Sequence, residues 1–149
     1  MNVLGAELED ATVLDLFAGT GALGLEALSR GARQATFVER DPRVLVGLRA
    51  NVEALGAGDC ATIVAGNVFG YLNGLAPGAF DIAVADPPYG EGLAARLVKH
   101  YMKVPFARVL SVEHTPDEKL ELPVDADQRR YGDTMITFLS GDAWTEVDQ

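Results

Sequence analysis

The sequence predicts an α/β fold with a mostly parallel central sheet, helices on both faces and an antiparallel hairpin near the C-terminal end. Three observations predict it. Short apolar runs alternate with stretches of helical periodicity, the pattern of parallel strands joined by right-handed crossovers. A glycine-broken turn, Ala18-Gly19-Thr20-Gly21, separates the first run from the first helical stretch. A later run, Phe80-Asp81-Ile82-Ala83-Val84-Ala85, has the length and composition of a buried strand and stops at Asp86-Pro87-Pro88-Tyr89. Neither proline has an N–H to give a ladder, so the strand must end there.

Taken in order, residues 1–10 read as a helix end running into a turn, and residues 12–17 as the first strand. Residues 22–29 hold helix formers, with Leu23, Ala27 and Leu28 at helical spacing and Gly31 as the stop. Residues 35–39 form a second strand. Asp41-Pro42 starts the next helix as N-cap and first helical residue. Its apolar stripe is Val44, Leu45, Leu48, Val52 and Leu55, and Gly56 ends it. Residues 61–65 are a third strand, followed by Gly66-Asn67, a short helix over 68–75 and a Pro77-Gly78 turn. After the strand into Asp86 come a helix over 93–102 and a fifth strand over 108–113. Residues 127–131 and 134–139 flank Gly132-Asp133 as an antiparallel hairpin. No repeat or linker interrupts the chain, so a single domain over 1–149 is expected.

At 149 residues and 48% apolar content the chain is long and hydrophobic enough to bury a core. No apolar run approaches the roughly 18–20 residues of a membrane span, and the start does not read as a signal peptide. The lone cysteine, Cys60, rules out an internal disulfide and a cysteine-built zinc site, and reads as an inert, half-buried thiol. A cytoplasmic location is the expectation. The net charge of −10 argues mildly against a nucleic-acid partner, because phosphate binders carry a basic footprint. The cations are local, however: Arg30, Arg33, Arg40, Arg43 and Arg49 in one segment, and Arg96, Lys99, Lys103 and Arg108 in another.

Ligands of parallel α/β sheets bind outside the carboxyl ends of the strands. The chemistry-bearing residues fall there: Asp15 to Gly21 after the first strand, Glu39 after the second, Asn67 after the third, and Asp86 to Tyr89 after the fourth. Gly19, Gly21 and Gly24 satisfy a dinucleotide G-x-G-x-x-G spacing, so nicotinamide binding has to be weighed. Asp15, just before the turn, would repel a pyrophosphate and suits a ligand with a positive amino group. S-adenosylmethionine carries an ammonium and a sulfonium and no phosphate, and an acid at the position of Glu39 accepts both ribose hydroxyls. The carboxylate of Asp86, stiff extended carbonyls and the Tyr89 ring form a seat for a flat group with N–H donors.

Val13-Leu14-Asp15-Leu16-Phe17-Ala18-Gly19-Thr20-Gly21-Ala22-Leu23-Gly24-Leu25-Glu26-Ala27, Val38-Glu39-Arg40-Asp41, Asp86-Pro87-Pro88-Tyr89 and Tyr131-Gly132-Asp133-Thr134 together resemble the RsmD-type methyltransferases. These are small-subunit ribosomal RNA (guanine-N2)-methyltransferases of the S-adenosylmethionine-dependent class I, and the resemblance covers nearly the whole chain. It implies a Rossmann-like class I methyltransferase fold and an RNA N-methyltransferase. It places Asp15, Phe17, Ala18, Gly19, Gly21 and Arg40 around the cofactor, with Glu39 on the ribose hydroxyls. Asn67 falls near the adenine amino group and Val68, with Phe69, beside the adenine ring. Asp86, Pro87, Pro88 and Tyr89 hold the target base in the catalytic loop, with Asp86 also at the cofactor. Asn67 stands where relatives often carry Asp, and its carbonyl oxygen is expected to replace the carboxylate.

The resemblance further implies ribosomal RNA in an assembled or assembling small subunit as partner, a monomer, and neither metal nor membrane. Family members carry a basic segment leading into a helix before the first strand, and Met1-Asn2-Val3-Leu4-Gly5 reads as that helix's last turn. The alternatives are a DNA adenine or other nucleic-acid amino-methyltransferase, a cofactor-binding domain inactive without that segment, and a nucleotide-dependent oxidoreductase. Glu113 could line the pocket, with a structural role placed ahead; His100 and His114 are read as solvated or core-edge residues, Arg129 and Arg130 as a solvated strand face or phosphate contacts, and Trp144 as packing.

Overall fold

The computed structural model describes residues 8–141; Trp144 and most of the first ten residues lie outside them. The chain divides into two compact units, the first ending at Gly74 and the second beginning at Leu75.

The first unit runs β1 (Thr12–Leu16), α1 (Ala22–Ser29), β2 (Gln34–Glu39), α2 (Pro42–Ala54), a 3-10 turn (Gly58–Cys60), β3 (Ala61–Ala65) and α3 (Val68–Leu72). Its strands lie in the order β3-β2-β1, all parallel. Val13, Leu14 and Leu16 of β1 and Ala35, Phe37 and Val38 of β2 are fully buried. Consecutive buried residues, interrupted in polarity only by Asp15 and Thr36, are what a parallel strand covered on both faces shows.

The first helix occupies the bounds its sequence predicts. α2 begins where Asp41 accepts a hydrogen bond from the Arg43 backbone N–H at 2.9 Å, a cap worth about 1 kcal/mol, with Pro42 as first helical residue. Leu45, Leu48 and Val52 bury its apolar stripe. Leu55, expected to continue that stripe, is instead the C-cap residue and 67% exposed, because left-handed Gly56 ends the helix beside it. Cys60 is exposed in the 3-10 turn rather than half-buried. α3 ends at Leu72, three residues earlier than expected.

The second unit contains β4 (Phe80–Ala85), α4 (Leu93–Lys103), β5 (Ala107–His114), β6 (Asp127–Tyr131) and β7 (Thr134–Ser140), with strand order β4-β5-β7-β6. β4 and β5 are parallel; β7 runs antiparallel to both β5 and β6. α4 buries Ala94, Leu97, Val98 and Tyr101. The Tyr101 hydroxyl donates to the Ala107 carbonyl at 2.6 Å, and its ring meets Phe106 edge-on at 5.3 Å between centroids. The hairpin turns through Gly132 at φ 62° with Asp133 at negative φ. That is the glycine-first pattern of a two-residue turn matching the strand twist. All five residues of β6 are exposed.

His114 departs from its expected place at the core edge: it is the last residue of β5 and only 2% exposed. Its Nδ1 lies 2.9 Å from the Thr115 carbonyl, an acceptor, so that nitrogen carries the proton. Nε2 then accepts from the Thr137 hydroxyl at 2.6 Å, and Thr137 in turn accepts from Gln128. Both ring nitrogens are satisfied, which is the condition for burying them.

Candidate functional site

At the carboxyl end of β1 the chain reverses through Phe17 and Gly19, both at φ 57°, and Gly21 at φ 85°. A left-handed conformation is ordinary for glycine and an outlier for a residue as bulky as Phe17, costing about 1–2 kcal/mol. Such strain marks sites held by their surroundings. Here Ala18 donates to the Val38 carbonyl of β2 at 3.0 Å, and the Gly21 N–H closes the turn on the Ala18 carbonyl at 2.8 Å.

The three glycines have different tasks. A methyl group on Gly19 would meet nothing within 4 Å, so the space above that residue is open. One on Gly21 would fall 2.4 Å from Leu48 Cδ1, and one on Gly24 2.4 Å from Phe37 Cε1. The last two glycines therefore let α1 lie close on β2 and α2, while the first leaves room for a ligand.

Asp15, 1% exposed, accepts from the Gly24 backbone N–H at 2.9 Å through Oδ2. That N–H is one of the donors a helix start leaves without an intrahelical partner. The acid expected to meet a ligand's amino group thus holds the N-terminus of α1 beneath the glycine turn. Glu39, half-buried, accepts from the Gly19 N–H at 3.0 Å through Oε1 and from the Asp41 N–H at 2.9 Å through Oε2. A carboxylate offers about four acceptor positions, so each oxygen keeps one for a further donor, such as one hydroxyl of a ribose. Arg40, expected at the cofactor, is exposed and takes no part in these bonds.

Asn67 corrects its expected role. Its Oδ1 caps α3, accepting from the Phe69 N–H at 2.9 Å and the Gly70 N–H at 3.2 Å. With both lone pairs engaged, the side chain presents its amide donors, which suit a ring nitrogen rather than an amino group. Val68 and Phe69 are 5% and 6% exposed, packed inward. Phe17, half-buried and edge-on to Phe69 at 6.3 Å, is the better apolar surface for a flat ring.

In the second unit Asp86 follows β4 directly and is exposed, Pro87 is buried, and Pro88 and Tyr89 are exposed, the Tyr89 side chain by 53%. The loop is pinned at Pro87 and presents its carboxylate and ring to solvent. Left-handed Gly90 and Gly92 carry it into α4. Ala85 pairs with Val112, so the next residues in register are Asp86 and Glu113. Partial burial pushes the Glu113 carboxyl above its ordinary range, reinforced by the charge of Asp86 and a hydrogen bond to it. Two neighbouring carboxyls resist both ionising, which adds to the upward push on Glu113. In the sequence Glu113 reads as a strand-end acid that could line the pocket, with a structural role placed ahead. The signal that pairs it with Asp86 is register, since the two acids fall side by side at the ends of adjacent parallel strands.

The glycine turn, the strand-end acid and the acid-proline loop, on a mostly parallel α/β chain, define a Rossmann-like protein of the kind shared with solved methyltransferases. The chain belongs to the family described as Conserved hypothetical protein 95, whose model matches residues 1–140. It is 44% identical over 92 residues to Ribosomal RNA small subunit methyltransferase D of Escherichia coli K12, covering 62% of this chain and 46% of that protein. The chain thus spans about half the length of that relative. It is 32% identical over 127 residues to Bacillus subtilis YlbH, whose name proposes an rRNA methyltransferase, covering 82% of this chain and 68% of the relative. The solved structure of Escherichia coli yhhF, named as a proposed methyltransferase, superposes with a TM-score of 0.77 at 31% identity, covering 92% of this chain and 78% of the other. The family and fold read from the motifs are borne out.

Proposed function

We propose that the protein transfers a methyl group from S-adenosylmethionine to the exocyclic N2 amino group of a guanine in small-subunit ribosomal RNA, presented in an assembled or assembling subunit. The observation that carries the reading is the exposed Asp86 carboxylate on a loop anchored by buried Pro87, with the Tyr89 ring exposed beside it. The names of the relatives support RNA and the small subunit as the context.

The residues after β1 and β2 fit the donor. Open space above Gly19 admits a ligand against the backbone, Glu39 keeps an acceptor position on each oxygen for a cis-diol, and Phe17 offers an aromatic face. S-adenosylmethionine, when bound, supplies an electrophilic methyl on a sulfonium whose leaving group is a neutral thioether. The chain's own part is positioning. An exocyclic amino nitrogen is a poor nucleophile because its lone pair is delocalised into the ring. With its two N–H groups accepted by Asp86 and the Pro87 carbonyl, the lone pair would be localised on nitrogen and turned toward the donor's methyl group. As nitrogen takes the methyl and the thioether departs, positive charge would grow on nitrogen, and the Asp86 carboxylate would offset it. The surplus amino proton then leaves toward that carboxylate. Tyr89 stacks on the extruded base.

Calorimetry with S-adenosylmethionine and with NAD, followed by transfer of labelled methyl to unmodified small ribosomal subunits, naked RNA and DNA, tests this reading. Binding of S-adenosylmethionine alone and transfer to the subunit or its RNA are expected. Tight NAD binding without S-adenosylmethionine binding, or transfer to DNA alone, would overturn it.

A further inference from the structure

Outside the residues placed in the reaction, the second unit carries a groove of about 560 Å³ where the outer face of α4 meets the segment before β6. Arg96 and Lys99 line it from the helix and Lys119 from the segment, while Met102 and Leu122 supply apolar lining. Glu121 is its single acid, so cations outnumber carboxylates three to one. In a chain of net charge −10 such a local reversal of sign is conspicuous. Among the described residues neither Lys99 nor Lys119 has an ion-pair partner. Their charge is therefore not paired by any carboxylate among the described residues.

The spacing adds direction. The apolar face of α4 is buried, and Arg96, Lys99 and Lys103 recur on the other face at steps of three and four, about one helical turn of ~5.4 Å each. The row starts in the first turn of α4, which follows the Asp86–Tyr89 loop after only Gly90, Glu91 and Gly92. The positive field is felt locally: His100, on the same helix, is held below its ordinary range by burial and then by Lys103 and Arg96.

We infer that this groove is a second RNA-binding site, taking the ribose–phosphate backbone of a strand whose target base is held at Asp86–Tyr89. A lining that combines cations with apolar side chains suits a ribose–phosphate backbone, and phosphate neutralisation supplies affinity without reading sequence. The inference rests on the proposed function for the choice of RNA as the anion.

The test is the salt dependence of binding of a fluorescein-labelled, mixed-sequence 20-nucleotide single-stranded RNA (~20 nucleotides, beyond the ~4–16 of a minimal single-strand site) to the full chain and to its Lys99→Gln/Lys119→Gln variant. Each phosphate contact contributes about −0.7 to the slope of log K against log salt for single strands. The double variant is expected to bind severalfold more weakly at low salt, with a slope shallower by about 1.4, while its calorimetric affinity for S-adenosylmethionine is unchanged. An unchanged slope and affinity would overturn the inference, as would equal competition by polyglutamate, which would indicate an acidic protein partner. If wild type transfers methyl groups but binds the oligonucleotide without this slope, the groove inference fails and the methyltransferase reading stands. Groove-dependent RNA binding without methyl transfer separates the two in the other direction.

Discussion

The acids of the two units live under opposite regimes. Asp15 and Glu39 are matched to backbone N–H groups of Gly24, Gly19 and Asp41, donors that cannot titrate or swing away. Asp86 is exposed and its carboxyl neighbour is another acid, Glu113. The first arrangement builds a turn whose shape exists before any ligand arrives. The second sets two carboxyls side by side, one of them raised by burial and by its neighbour. A donor of fixed shape suits a rigid cradle, whereas removal of a proton from nitrogen calls for groups whose protonation can change.

The sharpest way to separate the two regimes is to remove Asp86. Asp86→Ala is expected to lower methyl transfer by about 10²–10³-fold, the scale of losing one positioned electrostatic partner in a transition state. Calorimetric affinity for S-adenosylmethionine should stay within a few-fold; equal loss of both would give Asp86 a structural role. Next in size, Gly24→Ala attacks the rigid side. Its methyl would sit 2.4 Å from Phe37 Cε1, 2.9 Å from Cζ and 3.1 Å from Asp15 Oδ2, and Phe37 is fully buried. Overpacking of this kind costs about 1–3 kcal/mol, read as a lower urea midpoint at unchanged slope. An unchanged midpoint would show that the glycine turn is looser than its geometry indicates.

The smallest effect concerns Glu113. Its carboxyl is raised in the folded chain, so between its ordinary and its raised range the native state binds more proton than the unfolded chain does. Its contribution to stability is therefore present below the ordinary glutamate range and lost as pH rises through the raised value. Glu113→Gln, which cannot titrate, should flatten that decline in urea titrations across the mildly acidic range. Partial exposure screens the effect and keeps it small. A variant with the wild-type pH profile would assign the decline to other groups.

Much of the backbone was legible because local chemistry decided it. Asp41-Pro42 starts α2, Gly132-Asp133 turns the hairpin, and two prolines stop β4, each through a donor or φ constraint carried by the residue itself. The candidate site was legible as positions and less so as roles. The Asn67 oxygen was expected to face a ligand, but it accepts from the Phe69 and Gly70 N–H groups in the first turn of α3. Glu113 gains its meaning only from the β4–β5 register, and His114 only from Thr137 on a strand 23 residues away. Leu55 failed for a simpler reason: helical spacing continues on paper past the residue where the helix stops.

β6, exposed at all five residues, is the end strand in the order β4-β5-β7-β6. An end strand offers unpaired N–H and C=O groups to any other chain in the cell. Here it is short and carries Asp127, Arg129 and Arg130, with Arg129 paired to Asp127 at 3.2 Å. Charge and brevity are the usual deterrents to strand addition, so the hairpin that completes this sheet also guards its rim against aggregation.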